Sequence, residues 1–133
     1  MIPTTPDKPA RPKAIRIREK TIKETGKGGV EDQVKKYAKS RGFYVRKFVS
    51  PGNAFVPDDV FVAPGPPGAT PEQLAATLYL RLIFPEFKRP GEKATPGQER
   101  EHERMRGYGL PVIVIDNVDA GKALVDFYAG RVC

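Results

Sequence analysis

Apolar and polar positions alternate along the chain with two different periods, and the changes of period mark out its elements. Val30, Val34, Tyr37 and Ala38 fall at i, i+4, i+7 and i+8, one face of a helix, and Gly42 follows. A helix from Val30 to Arg41 is therefore expected. Phe43 to Val49 (FYVRKFV) is rich in aromatic and β-branched residues and stops at the turn cluster Ser50-Pro51-Gly52-Asn53, so it reads as a strand. Val56 to Ala63 reads as a second strand. Pro64 to Pro71 (PGPPGATP) is loop, Glu72 to Thr77 suits a helical turn, and Leu78 to Lys88 (LYLRLIFPEFK) is expected to be a long central third strand. Pro85 has no backbone donor, which predicts an edge or bulge at that end.

Thr95 to Arg106 is a polar helix with Pro96 in its first turn, a favoured position, and Gly107 and Gly109 end it. Pro111 to Ile115 (PVIVI) is apolar throughout, as expected of a strand buried on both faces beside a parallel neighbour. Asn117 suits an N-cap, and Leu124, Phe127 and Tyr128 give a last helix, Val118 to Ala129, its apolar stripe. The order α-β-β-β-α-β-α, without internal repeat, predicts an α/β fold: a short mixed central sheet flanked by helices.

Residues 1–27 differ. Pro3, Pro6, Pro9 and Pro12 punctuate a stretch with few large apolar side chains, which cannot build a core. Eight basic residues (Lys8, Arg11, Lys13, Arg16, Arg18, Lys20, Lys23, Lys27) against three acids give this segment +5 of the chain's formal +7. It reads as a flexible basic arm ahead of a folded domain at 28–133. Such an arm is either a solvated tail or a phosphate-neutralising element whose binding falls steeply with salt. At 133 residues, one domain accounts for the chain. No apolar run reaches about 18 residues, and no apolar leader is seen at the N-terminus. A soluble protein of the cytoplasm, in a bacterial or phage-infected cell, is expected, without membrane contact or secretion.

Cys133 is the sole cysteine and His102 the sole histidine, so a zinc cluster or a Cys/His nucleophile pair has little support. His102 is expected to serve in packing or solvent contact. The glycines at 26, 28 and 29 do not form a phosphate-binding Walker loop, so no nucleotide cofactor is expected.

The chemistry lies elsewhere. Glu86 and Lys88 are two apart on a strand and project from one face. If the second and third strands form an antiparallel hairpin, Asp58 at the start of one meets Glu86 and Lys88 at the end of the other. Two carboxylates and an ammonium then converge. Hard carboxylate oxygens hold Mg²⁺ through one or two ligands while the ion keeps waters and accepts phosphate oxygens, which points to phosphodiester hydrolysis. Asp59, the adjacent carboxylate, should face the other side in a solvated or structural role, although register could reverse the choice.

With these residues in place the chain resembles the VRR-NUC branch of the PD-(D/E)xK nuclease superfamily. The matching residues are Glu31, Lys47-Phe48 before Pro51-Gly52, Val56-Pro57-Asp58, Pro85-Glu86-Phe87-Lys88-Arg89-Pro90-Gly91, Gln98, and Gly109-Leu110-Pro111-Val112-Ile113-Val114. The likeness spans roughly residues 28 to 130. It departs at Phe55, where the family usually has Gly, and in an inserted segment between Asp58 and Glu86.

The resemblance implies a restriction-endonuclease-like core and a structure-specific DNA endonuclease, acting at branched DNA such as Holliday junctions. It implies Mg²⁺, with Mn²⁺ as substitute, held by Asp58, Glu86, the Phe87 backbone carbonyl and Glu31. Lys88 would assist the nucleophile, and Gln98 would steady the site. Lys47, Arg89 and, in the arm, Arg16, Arg18 and Lys20 are the expected DNA contacts. A homodimer is expected, with Phe43, Phe48, Tyr79 and Tyr128 as candidates for its surface. The alternative is a DNA-binding or assembly module that keeps the fold without cutting.

Overall fold

A computed structural model describes residues 28–132. The arm, and with it Arg16, Arg18 and Lys20, lies outside the described residues. The elements run α1 (Val30–Ser40), β1 (Tyr44–Lys47), β2 (Asp59–Val62), α2 (Pro71–Ala76), α3 (Leu78–Arg81), β3 (Leu82–Phe87), α4 (Pro96–Gly107), β4 (Val112–Ile115) and α5 (Val118–Ala129). The sheet order is β1-β2-β3-β4, antiparallel except for the β3–β4 pair. This is the mixed α/β architecture expected from the order of elements, with helices on both faces.

One face carries the main core. Val30, Val34 and Ala38 of α1 and Val125 and Tyr128 of α5 pack over Phe61, Ile83 and Phe87 of the sheet. Phe61 and Phe87 are almost wholly buried, each contributing about 2–3 kcal/mol. The two helices approach closely because Gly121 lacks a side chain: a Cβ there would stand 2.5 Å from Val34 Cγ2. On the opposite face Phe84, Met105 and Val112 form a smaller cluster under α4.

Three expectations need correction. The third strand does not begin at Leu78, since residues 78–81 are helical. Leu78, Tyr79 and Leu80 are exposed, so they lack the two-sided burial that would favour a central strand, and short apolar runs are ambiguous between the two states. Thr70 caps α2 with a capping box to Gln73, and Arg81 ties the insertion down, donating to the carbonyls of Ala63 (2.8 Å) and Leu74 (2.6 Å). Second, β4 is an edge strand with Val114 partly exposed, because α4 covers the Val112 end of that face and leaves Val114 beside an open cleft. Third, Phe43 and Tyr128 are buried in the chain's own core and are removed as surface candidates, whereas Tyr79 is exposed.

Pro85 reconciles its missing donor with a central position. The β2–β3 ladder ends at the Phe61–Ile83 pair, so β2 has already diverged where Pro85 would have needed a partner. On the other side β3 continues against β4, with Phe84 N–H and Lys88 N–H donating to Pro111 and Ile115. The insertion joins β2 and β3 at the end of the hairpin away from Asp58.

Candidate active site

The divergence of β2 from β3 exposes one backbone donor, and Asp58 takes it. Phe87 N–H donates to Asp58 Oδ2 at 2.7 Å. Since Phe87 lies between Glu86 and Lys88, this bond brings Asp58 against the strand segment that carries both. Phe87 turns into the main core, and its neighbours project to the α4 face by strand alternation.

Glu86 is 2% exposed and is approached from α4. Gln98 acts twice: its Oε1 accepts from Thr95 N–H (2.9 Å) in the capping box that starts the helix, and its Nε2 donates to Glu86 Oε2 (3.0 Å). The cap therefore fixes the side chain that holds the carboxylate. His102, one turn later, places Nε2 3.5 Å from Glu86 Oε1. Lys88 Nζ stands 3.9 Å from Glu86 Oε2 and is itself buried. Asp58, Glu86, Lys88 and Gln98 thus share one neighbourhood.

Glu31 and Lys47 belong to a second cluster, on the α1 face. Lys47 Nζ donates to Glu31 Oε2 at 2.8 Å, and Lys35 lies 3.6 Å from the same oxygen. Asp59 completes the group, with Oδ1 3.4 Å from Lys35 and 4.0 Å from Lys47. Asp59 does face away from Asp58, but it is not solvated: it is 0% exposed, and neither oxygen accepts a hydrogen bond from a fixed donor among the described residues. Arg89 is exposed beside the site, its N–H donating to Glu92.

Electrostatics links the two clusters through Asp58, on which Glu31 and Lys47 act as well as Lys88. Burial raises the Asp58 carboxyl above its ordinary range; the Phe87 N–H opposes this and the Glu31 charge adds to it. Asp59 is pushed up to about 7, by burial first and then by Glu31. Burial also acts upward on Glu31, but Asp59 and Lys47 outweigh it and hold Glu31 below its usual value. The two carboxyls are thus driven apart, Asp59 upward and Glu31 downward. His102 is lowered by burial and by the charges of Arg106 and Lys88, so the ring is held neutral.

Among the described residues no three His, Cys, Asp or Glu side chains form a ready-made metal cage. Asp58 and Glu86 offer two carboxylates, the number with which Mg²⁺ is ordinarily held while water fills its remaining positions. Asp58, raised by burial and by a neighbouring anion, is a group whose ionised form a cation would relieve. The donor set fits a hard divalent ion.

No family model matches the chain. It is 39% identical over 98 residues to "Putative nuclease p44" of Acyrthosiphon pisum secondary endosymbiont phage 1, a match covering 71% of this chain and 90% of that protein. A solved structure described as "VRR_NUC domain" superposes with a TM-score of 0.56 at 27% identity, covering 74% of this chain and 92% of the other. The chain belongs to the VRR-NUC family. Membership agrees with the sequence resemblance and with the sheet order, and it makes the fold that of a nuclease. Within this VRR-NUC chain, sequence reasoning gave three neighbours of the acids no part in the site: His102 was read as packing or solvent contact, Asp59 as solvated or structural, and Lys35 was not singled out. For His102 the signal was present, because it follows Gln98 by four residues on one helical face. For Asp59 and Lys35 there was none short of the pairing of α1 with β2. No described helix is long and apolar enough to cross a membrane.

Proposed function

We propose that this VRR-NUC chain is a divalent-metal-dependent endonuclease that hydrolyses DNA phosphodiesters at branched structures such as four-way junctions. The observation that carries the reading is the Phe87 N–H to Asp58 bond, which draws one carboxylate against the strand bearing Glu86 and Lys88. Asp58 and Glu86 would hold Mg²⁺, or Mn²⁺ in its place, with the Phe87 carbonyl as a further oxygen donor. When bound, the ion supplies Lewis acidity toward the phosphodiester and lowers the pKa of a bound water. Lys88, an ammonium next to Glu86, orients the attacking water and offsets charge developing on phosphorus. Gln98 keeps Glu86 in place. Glu31 contributes through its field on Asp58, and Lys47 through the Glu31 pair, with part of its side chain open to a DNA phosphate.

Two symmetric cuts in a four-way junction need two such sites, which favours a homodimer. The basic arm, residues 1–27, would add phosphate contacts beside Arg89, independent of DNA sequence.

The test is cleavage of labelled four-way, flap and linear duplex DNA by the full chain in Mg²⁺, Mn²⁺ or EDTA. Incision of a branched substrate with either ion and none in EDTA is the expected result. Binding without cutting in every condition would instead assign the chain as a non-catalytic DNA-binding module. A second expectation concerns the arm. Deletion of residues 1–27 should weaken junction binding by about tenfold or more at moderate salt. It should also flatten the plot of log affinity against log salt by about 0.9 for each phosphate the arm neutralises. An unchanged slope would show that the arm takes no part.

A further inference from the structure

We propose that His102 is a positioning residue for the Glu86 carboxylate, donating from Nε2 to Oε1 while Gln98 holds Oε2, so that α4 fixes both oxygens of this side chain. The inference rests on the reading of Glu86 as a metal ligand.

Three observations support it. First, His102 is 1% exposed, and its Nε2, which has no hydrogen-bond partner among the described residues, lies 3.5 Å from Glu86 Oε1. Burying an imidazole costs free energy unless its polar edge is used. Packing alone would be served better by an apolar residue here, three positions before Met105 of the small core cluster. Second, the edge of the ring that faces Glu86 is Nε2. Turning an unprotonated nitrogen toward a buried carboxylate would set lone pair against lone pair, so the favoured tautomer carries its proton on Nε2. Third, Gln98 and His102 are four residues apart on one helix and therefore lie on the same face. They reach opposite oxygens of one carboxylate.

Each carboxylate oxygen can accept twice, so these two bonds are compatible with a cation on the same group. Two donors from a single rigid helix set the plane of the carboxylate and the direction in which its oxygens face a metal. Hydrogen bonds that orient a metal-binding carboxylate ordinarily change metal affinity or activity by about 10- to 100-fold when removed. His102 needs no contact with DNA or with the reacting phosphate for this role.

The experiment measures Mn²⁺ binding to the full chain by electron paramagnetic resonance, together with thermal unfolding, for wild type, His102→Leu and His102→Gln. His102→Leu should weaken Mn²⁺ binding by about 10- to 100-fold while remaining folded, and His102→Gln, which restores a donor, should recover most of it. The Mg²⁺ concentration for half-maximal DNA cleavage should shift in parallel, with KM for DNA unchanged. A merely structural role would lower the melting temperature without moving the Mn²⁺ midpoint of the folded protein.

His102→Leu binding Mn²⁺ as wild type does would overturn the inference and leave the nuclease reading intact. Absence of Mn²⁺ binding in wild type, with no cleavage, would overturn both. Should His102→Leu fail to fold, long-range ¹H–¹⁵N correlation spectra of the wild-type ring decide the matter. A proton on Nε2 supports the donor role, and a bare Nε2 refutes it.

Discussion

Glu86→Gln and Asp58→Asn are each expected to lower DNA cleavage by roughly 1,000-fold or more, about 4 kcal/mol of transition-state stabilisation, while leaving the fold unchanged. These two substitutions remove a charge and keep the shape. A carboxamide oxygen at position 58 can still accept from Phe87 N–H, and one at position 86 can still accept from Gln98. No cavity is made; at position 86 the amide nitrogen takes the place of the oxygen facing His102 Nε2, so Glu86→Gln should cost some stability without unfolding the chain. What disappears is the anionic oxygen that a hard cation requires. Rates on a junction substrate, compared with circular dichroism spectra and melting curves, give the answer. Cleavage within about tenfold of wild type in either folded variant would remove that residue from the metal-binding role. Lys88→Met makes the complementary comparison. Its stem is buried, so Met preserves packing, and turnover should fall while the metal midpoint stays in place. Equal losses of both would make Lys88 a structural partner of Glu86.

The site was legible to the extent that strand periodicity is rigid. Glu86 and Lys88 had to share a face because they are two apart, and Asp58 had to lie near them once β2 and β3 were antiparallel. Gln98 was legible as part of a family pattern and, from the Thr95-x-x-Gln98 spacing, as a cap; that the same amide also holds Glu86 was not, since that depends on which atom faces which neighbour. The helix at Leu78–Arg81 was illegible because LYLR carries no period of its own. Its state is decided by what lies outside it, the capped turn before and the Arg81 contacts beneath. For Asp59 the choice between a solvated and a structural role was left open for the same kind of reason. Its side of the sheet followed from alternation, but its burial follows from α1 lying over that side, with Glu31 and Lys35 facing inward.

That burial carries the second large effect. Folding raises the Asp59 carboxyl from an ordinary 3.8 to about 7. The folded protein therefore holds a proton on this group over a pH range in which the unfolded chain has released it. Stability from this source is fully present below about pH 4 and is lost as pH rises toward 7. At 1.36 kcal/mol per unit, the ceiling is about 4 kcal/mol. Asp58, also raised, slopes in the same direction. His102, lowered, opposes it between its folded value and 6.5. Glu31, lowered, opposes it only at the acid end. Asn mimics protonated Asp at every pH, so Asp59→Asn isolates the contribution. In EDTA, urea unfolding should show wild type losing roughly 2–4 kcal/mol between pH 4.5 and pH 8 relative to the variant. Asp59→Asn should also be the more stable of the two at pH 8. Parallel pH profiles would mean that the Lys35 and Lys47 ammonium groups compensate the buried charge in full. The cost at neutral pH would then have to be sought in Asp58.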